Sequence, residues 1–309
     1  MRFTLRQLEY FVATCDAGSV TKAAQDVPVA PSSVSAALAQ LEAVLGVQLL
    51  IRHHARGVSP TPAGRRFLAR ARALLRDADE LERFASELTG ELSGTLELGC
   101  FVTLAPLIAP RLCQGFEQAH AGVSVELVES GQQSLVASLR SGQLSLALMY
   151  DLESADDLAF EALAELPPLA VFAADHPLAA RDEVSIAELA EEPLVLLDLP
   201  HSRDYFRALF LAEGADPTPA RRSTQPEVIR TLVANGYGYT IINARPHIDQ
   251  ALDGQRLRTV PIAGTPRPMI LGITRLASSR PTRLTSAFAE HCRAAIAAGE
   301  VPGLGESRG

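Results

Sequence analysis

Residues 1–64 constrain the fold most, because their apolar positions follow a helical period that is broken at fixed points. Leu5, Leu8 and Phe11 with Val12 give a first helix one apolar face. Ser19 or Thr21 can cap a second helix, in which Ala23 and Ala24 are small enough for close packing. Val27-Pro28-Val29 stops it, since proline lacks an amide hydrogen and restricts the residue before it. Pro31 suits the first turn of a third helix. There Val34, Leu38, Leu41 and Leu45 face a core and leave Ser32, Ser33, Ala36 and Gln40 on the opposite side. A short basic segment follows, Arg52-His53-His54-Ala55-Arg56-Gly57, and runs to Thr61.

Charge is distributed unevenly. Residues 1–72 carry nine Lys and Arg against four Asp and Glu, a net of +5, whereas the chain as a whole is −8 and residues 73–309 therefore sum to −13. Phosphate neutralisation is a local matter of Lys and Arg, so a basic head on an acidic body points to nucleic-acid contact confined to the head. A solvated charged surface is the bland alternative.

The chain is long enough for two or three domains, and its 47% hydrophobic content is that of a globular protein. No run approaches the roughly 18 apolar residues of a membrane helix, and the N-terminus lacks the apolar core of a secretion signal, so a cytoplasmic protein without membrane contact is expected. Cys15, Cys100, Cys113 and Cys292 are scattered without C-x-x-C spacing, which fits reduced thiols and no metal site.

The order helix, Gly18-Ser19-Val20-Thr21-Lys22-Ala23-Ala24, Pro31-Ser32-Ser33-Val34-Ser35-Ala36-Ala37-Leu38, then the basic segment closing at Pro60-Thr61-Pro62-Ala63-Gly64 resembles the DNA-binding domain of the LysR-type transcriptional regulators. The resemblance implies a winged helix-turn-helix (all-α with a small wing) over 1–61, a long linker helix over 62–90 and an α/β effector domain over 91–309. That last domain would have the two-subdomain fold of type-2 periplasmic binding proteins, with subdomain I at about 91–168 and 268–300 and subdomain II at about 169–267. Thr21, Ser32, Ser33, Ser35, Ala36, Gln40, Arg52, His53, Arg56 and Thr61 are then the expected DNA contacts. Ala30, Pro31, Ala36 and Leu50-Ile51 depart from the family pattern, which leaves the three serines to bond bases or phosphates and the Ala36 methyl to meet a thymine methyl.

Phe67, Ala71, Leu74, Ala78, Leu81, Ala85 and Leu88 recur with spacings of 4 and 3, an unbroken heptad seam. Two such helices could pair with large residues over alanines; a single helix packed on its own body is the alternative. The resemblance implies the former, a homodimer or a dimer of dimers on double-stranded promoter DNA, with RNA polymerase as a further partner.

Beyond residue 94, strands are expected at Thr95–Phe101, Val123–Glu129 and Leu144–Tyr150, alternating with helices at Leu104–Gln118 and Gln132–Ser141, an order that implies a parallel sheet. A second set runs through Pro168–Ala173, a helix near Ile186–Ala190, Pro193–Asp198, Arg203–Glu213, Gln225–Asn235 and Tyr239–Ala244, and Met269–Arg275 with Pro281–Ala298 should return to the first subdomain. Ligands in such sheets bind at a crevice facing the carboxyl ends of the strands. That rule nominates Phe101, Val102, Thr103, Leu104, Ser130, Tyr150, His201, Ser202, Arg203, Gln225 and Asn243 as effector-binding residues, with Glu129, Gly131, Gln132 and Asp151 beside them by position. A helix N-terminus at His201-Ser202 with the Arg203 guanidinium suits a small organic anion. Alternatively, Ser202 caps its helix and Arg203 pairs with Asp204, and Thr103 is a cap.

G-x-S-x-G, H-E-x-x-H, G-x-x-x-x-G-K-S/T and dinucleotide fingerprints do not occur, so no enzyme, metal or cofactor is expected. Residues 169–267 hold no cysteine, which argues against a thiol–disulfide peroxide sensor. A cytoplasmic small-molecule binding protein is the second functional class, and an enzyme using the same cleft the third.

Overall fold

The computed structural model describes residues 3–53, 57–87, 92–152 and 155–301, with backbone only at 79, 80 and 82–87. The chain divides into two compact units, residues 1–94 with 136–145 and residues 95–135 with 146–309.

In the first unit α1 (Leu5–Ala17), α2 (Val20–Asp26) and α3 (Pro31–Leu45) precede the strands β1 (Leu50–His53) and β2 (Gly57–Pro60) and the helix α4 (Pro62–Glu87). Thr4 caps α1 in a reciprocal box with Gln7, and Ser19, rather than Thr21, caps α2 through the Lys22 amide. Leu8, Phe11, Val34, Leu38 and Leu41 close the core as their spacing predicts, whereas Leu5 is exposed. The two strands pair antiparallel from Leu50↔Pro60 to His53↔Gly57. The Val58 amide donates to the Gly18 carbonyl at 2.8 Å, docking the wing on the α1–α2 turn. At Gly57 (φ +86°) a Cβ would fall onto the Gly18 carbonyl oxygen, so only glycine fits this approach.

The 26 residues of α4 span about 39 Å at about 1.5 Å per residue. Its start belongs to the head: Phe67 packs edge-on against Phe11 with ring centroids 5.5 Å apart, and Leu68 and Ala71 are buried in the same core. The expected seam is therefore corrected at its first two positions, which are filled from within the chain. Past them, Leu74 and Leu81 are 36% and 70% exposed and Ala78 is half-buried. The side chain of Ala85, and Leu88 altogether, lie outside the described residues.

The second unit begins with β3 (Ser93–Phe101), α5 (Ala105–Ala119), β4 (Gly122–Ser130), α6 (Gln132–Ser141), whose second half belongs to the first unit, and β5 (Leu146–Tyr150). There follow β6 (Leu158–Leu166), β7 (Leu169–Ala173), α7 (Ile186–Ala190), β8 (Val195–Leu197), α8 (Pro200–Ala212), β9 (Arg221–Ser223), α9 (Pro226–Ala234), β10 (Thr240–Ile242), β11 (Leu257–Pro261), β12 (Met269–Leu276) and α10 (Arg283–Ala297). The larger sheet has the order β4-β3-β5-β12-β6. Its β3 and β5 are parallel, but β12 returns antiparallel between β5 and β6, so the sheet is mixed rather than parallel. The return of Met269–Leu276 to the first sheet is the crossing that its sequence position implied. A smaller sheet, β10-β7-β11, is antiparallel, and β8 pairs with β9 in parallel beside it. Strands β6, β9 and β11 were not legible in the sequence. In β6 the sequence Leu-Ala-Phe-Glu-Ala-Leu-Ala-Glu-Leu lacks a clean alternation, and its pairing with β12 shifts register at Leu271/Gly272.

Candidate functional site

The head presents one polar face. Along α3, Val34, Leu38 and Leu41 are fully buried while Ser32, Ser33, Ala36 and Gln40 are exposed, and Ser35 is half-buried between them. Gln7 donates from Nε2 to the Gln40 Oε1 at 3.0 Å, so α1 orients the far end of that face. Thr21, Arg52 and His53 are exposed, and the His53 ring lies 2.8 Å from the Ser59 hydroxyl. Glu42 Oε1 accepts from the Leu49 amide at 2.6 Å and the Leu50 amide at 3.0 Å, fixing the entry into the wing. Thr61 proves structural: its hydroxyl donates to the Gln48 carbonyl and accepts from the Gly64 amide, capping α4. Arg56 lies outside the described residues.

In the second unit, the ends of β3 and β5 and the starts of α6 and α8 surround a cleft with two adjoining cavities. One, of about 190 Å³, is lined by Phe101, Gln132 and Ser134 on one side and Pro200, His201 and Ser202 on the other. The next, of about 80 Å³, is lined by Thr103, Tyr150, Ser202, Arg230, Asn243 and Met269, among others. Ser202 is buried and lines both. Phe101 and Tyr150 meet edge-on at 5.4 Å, and Thr103 hydrogen-bonds the Tyr150 phenol. Burial pushes the Tyr150 phenol up, beyond any physiological titration, so it stays a neutral wall.

Helix α8 starts at Pro200, with Leu199 at its cap position and no side chain closing the cap. His201 and Ser202, in its first turn, both line the cleft. Arg203 is not the fork the sequence suggested. Its Nε lies 3.1 Å from Asp198 Oδ1, and its side chain lines a separate cavity with Phe210, Asp216 and Arg222. One residue per 100° of helix turns Arg203 away from the face that Ser202 presents. The partner is Asp198, not Asp204.

The guanidinium that does line the cleft is Arg230, on α9. It is 8% exposed; Nη2 donates to the Ile248 and Gln250 carbonyls at 2.8 and 2.9 Å, and Nε lies 3.6 Å from Glu227. Its signal in the sequence is positional: with Pro226, Ile229 and Val233 it falls at i, i+3, i+4 and i+7, so a charge occupies a core-facing slot. Of the other nominated residues, Leu104 is core, Gln225 is an exposed cap residue of α9, Val102 is half-buried, and Ser130 serves through its carbonyl, which accepts from the Val102 amide.

Residues 5–65 match the model of the bacterial regulatory helix-turn-helix proteins of the lysR family, and residues 89–297 match the LysR substrate binding domain. The chain is a member of the LysR family. It is 31% identical to the hydrogen peroxide-inducible genes activator of Pectobacterium carotovorum subsp. carotovorum over 78% of this chain and 80% of the relative. It is also 30% identical to the RuBisCO operon transcriptional regulator of Allochromatium vinosum, over 86% and 87%. The crystal structure of HinK, a LysR family transcriptional regulator from Pseudomonas aeruginosa, superposes with a TM-score of 0.64 at 36% identity, covering 94% of this chain and 98% of that one. This LysR-family chain is thus a transcriptional regulator with a helix-turn-helix and an effector-binding domain, and its relatives are regulators rather than enzymes. Among the described residues no helix is long and apolar enough to cross a membrane.

Proposed function

We propose that residues 1–64 bind promoter duplex DNA, that the chain acts in the cytoplasm as a homodimer or dimer of dimers joined along α4, and that a small organic anion in the cleft changes DNA binding. The observation that carries the DNA reading is the exposed polar face of α3 beside the exposed Arg52 and His53 of the wing. A recognition helix enters the major groove with such a face, and a basic wing reaches the flanking phosphates. The exposure of Leu74 and Leu81 on one seam of α4 supports the dimer, since isolated large apolar side chains there gain a partner by helix pairing. The uncapped start of α8 and the buried Arg230 support an anion.

The Pectobacterium relative is named for hydrogen peroxide-inducible genes, and a peroxide response through thiols finds no support in the residues of this chain. The second subdomain has no cysteine. Burial pushes the Cys15 and Cys113 thiols up to about 12 and about 11, and pushes Cys100 and Cys292 up further, which is opposite to an activated thiolate.

A mobility shift with promoter fragments at several salt concentrations tests the DNA reading. Arg56→Ala and Arg52→Ala should each weaken binding to all sequences and lower the salt slope by about one. Normal affinity with an unchanged slope in both variants would sink it.

A further inference from the structure

The cleft carries a second chemical demand besides the anion. Asn243 is 6% exposed, and its Nδ2 donates to the Leu166 carbonyl at 2.9 Å and to the Tyr205 hydroxyl at 3.0 Å. The Tyr205 hydroxyl spends its own proton on the Arg267 carbonyl at 2.6 Å. Both contacts require the amide nitrogen on that side, so Oδ1 is the atom left over, and it has no donor among the described residues. Gln132 repeats the arrangement. It is 5% exposed, its Nε2 donates to the Tyr150 carbonyl at 3.1 Å, and its Oε1 is likewise without a donor. Gln132 lines the larger cavity and Asn243 the smaller, with Ser202 common to both.

A buried acceptor left without a donor is costly, and a ligand that brings an O–H or N–H recovers that cost. A bare carboxylate brings only lone pairs and would face these oxygens with like charge. The carboxylate's place is instead at Arg230, which shares a cavity with Ser202 in the first turn of α8. Size narrows the class further. The two adjoining cavities, of about 190 and 80 Å³, have room for a small acid that reaches from Gln132 to Asn243. Tyr150, Ile242 and Met269 give the smaller cavity an apolar wall for the body of the acid.

We propose that the effector is a short carboxylic acid carrying a hydrogen-bond donor beside its carboxylate, a hydroxy acid or an amino acid, and that Gln132 and Asn243 select it over the plain alkanoate. The proposal rests on the reading of the cleft as an effector site. Gln132 and Asn243 are specificity-determining positions in it, and Arg230 binds the anion.

Calorimetry on the full-length chain with lactate, alanine and propionate tests it without any variant. Lactate or alanine should bind at least about tenfold tighter than propionate, a difference of about 1.4 kcal/mol. Which of the two wins says whether hydroxyl or ammonium is the donor. Gln132→Met, which keeps the chain length but removes the acceptor together with the Nε2 bond to the Tyr150 carbonyl, should shrink the ratio of lactate or alanine affinity to propionate affinity. Propionate binding as tightly as both others overturns the proposal, and so does the absence of binding by all three up to about 10 mM. The effector reading is scored separately, by whether any compound of a wider panel of amines, sugars and larger acids alters the mobility shift. A response to one of those alone would leave the effector reading standing and the proposal refuted.

Discussion

Replacing Glu42 by alanine should loosen the head at one identifiable point. A single carboxylate oxygen of this half-buried residue receives both the Leu49 and the Leu50 amides, at 2.6 and 3.0 Å, and both leucines are buried, at 2% and 3% exposure. Alanine leaves two amides without an acceptor where water has little access. At about 1–3 kcal/mol for each of the two orphaned groups, the loss is about 2–6 kcal/mol. Glutamine keeps an oxygen in the same place and forfeits mainly the charge assistance, so its cost should be about half as large. Because the chain has two compact units, a single melting temperature would mix them. Native-state amide hydrogen exchange at Leu49 and Leu50 isolates the effect. The expected order of opening free energy is wild type, then Glu42→Gln, then Glu42→Ala, with DNA affinity following because the wing begins at Leu50. Exchange in Glu42→Ala within about 0.5 kcal/mol of wild type would refute the argument, since it would mean the two amides find other acceptors at no cost.

Three further outcomes are expected. Leu74→Glu combined with Leu81→Glu puts two charges into the proposed helix seam, so sedimentation should show a smaller species than the parent; an unchanged mass would remove α4 as the dimer interface. Tyr205→Phe breaks the link from Asn243 to the Arg267 carbonyl and should cost about 1–2 kcal/mol. Burial pushes the Tyr205 phenol up to about 12, so its proton is held more tightly folded than unfolded; that stability is complete below about pH 10 and fades as pH rises through about 12, and the gap between wild type and Tyr205→Phe in denaturant titrations should narrow across that window. With every thiol pushed up, brief hydrogen peroxide treatment should leave DNA affinity unchanged and the intact mass free of sulfenic or disulfide products; a peroxide-dependent shift reversed by dithiothreitol would contradict this.

Features that depend on local pattern were legible in the chain alone. The three helices of the head, Pro31 in the first turn of α3, the polar face of that helix and the long α4 are all set by apolar spacing and by proline and glycine at fixed offsets, which act within a few residues. The first β-α-β-α-β run of the second unit was legible for the same reason, and so was the neighbourhood of Thr103 and Tyr150, because strand ends face the cleft by rule, and of Ser202, near the start of a helix. Only the tertiary structure decided the rest. Strand β12 runs antiparallel because β6 and β5 flank it, a pairing made across more than a hundred residues of chain. Phe67 and Ala71 fell out of the expected heptad seam because they pack in the head's own core, Phe67 against Phe11. Arg203 and Arg230 exchanged roles for a reason no linear pattern carries. Helix rotation put Arg203 against Asp198, while the backbone carbonyls of Ile248 and Gln250 gave Arg230 a place where a guanidinium can be buried beside the cavity with its Nη2 donors satisfied.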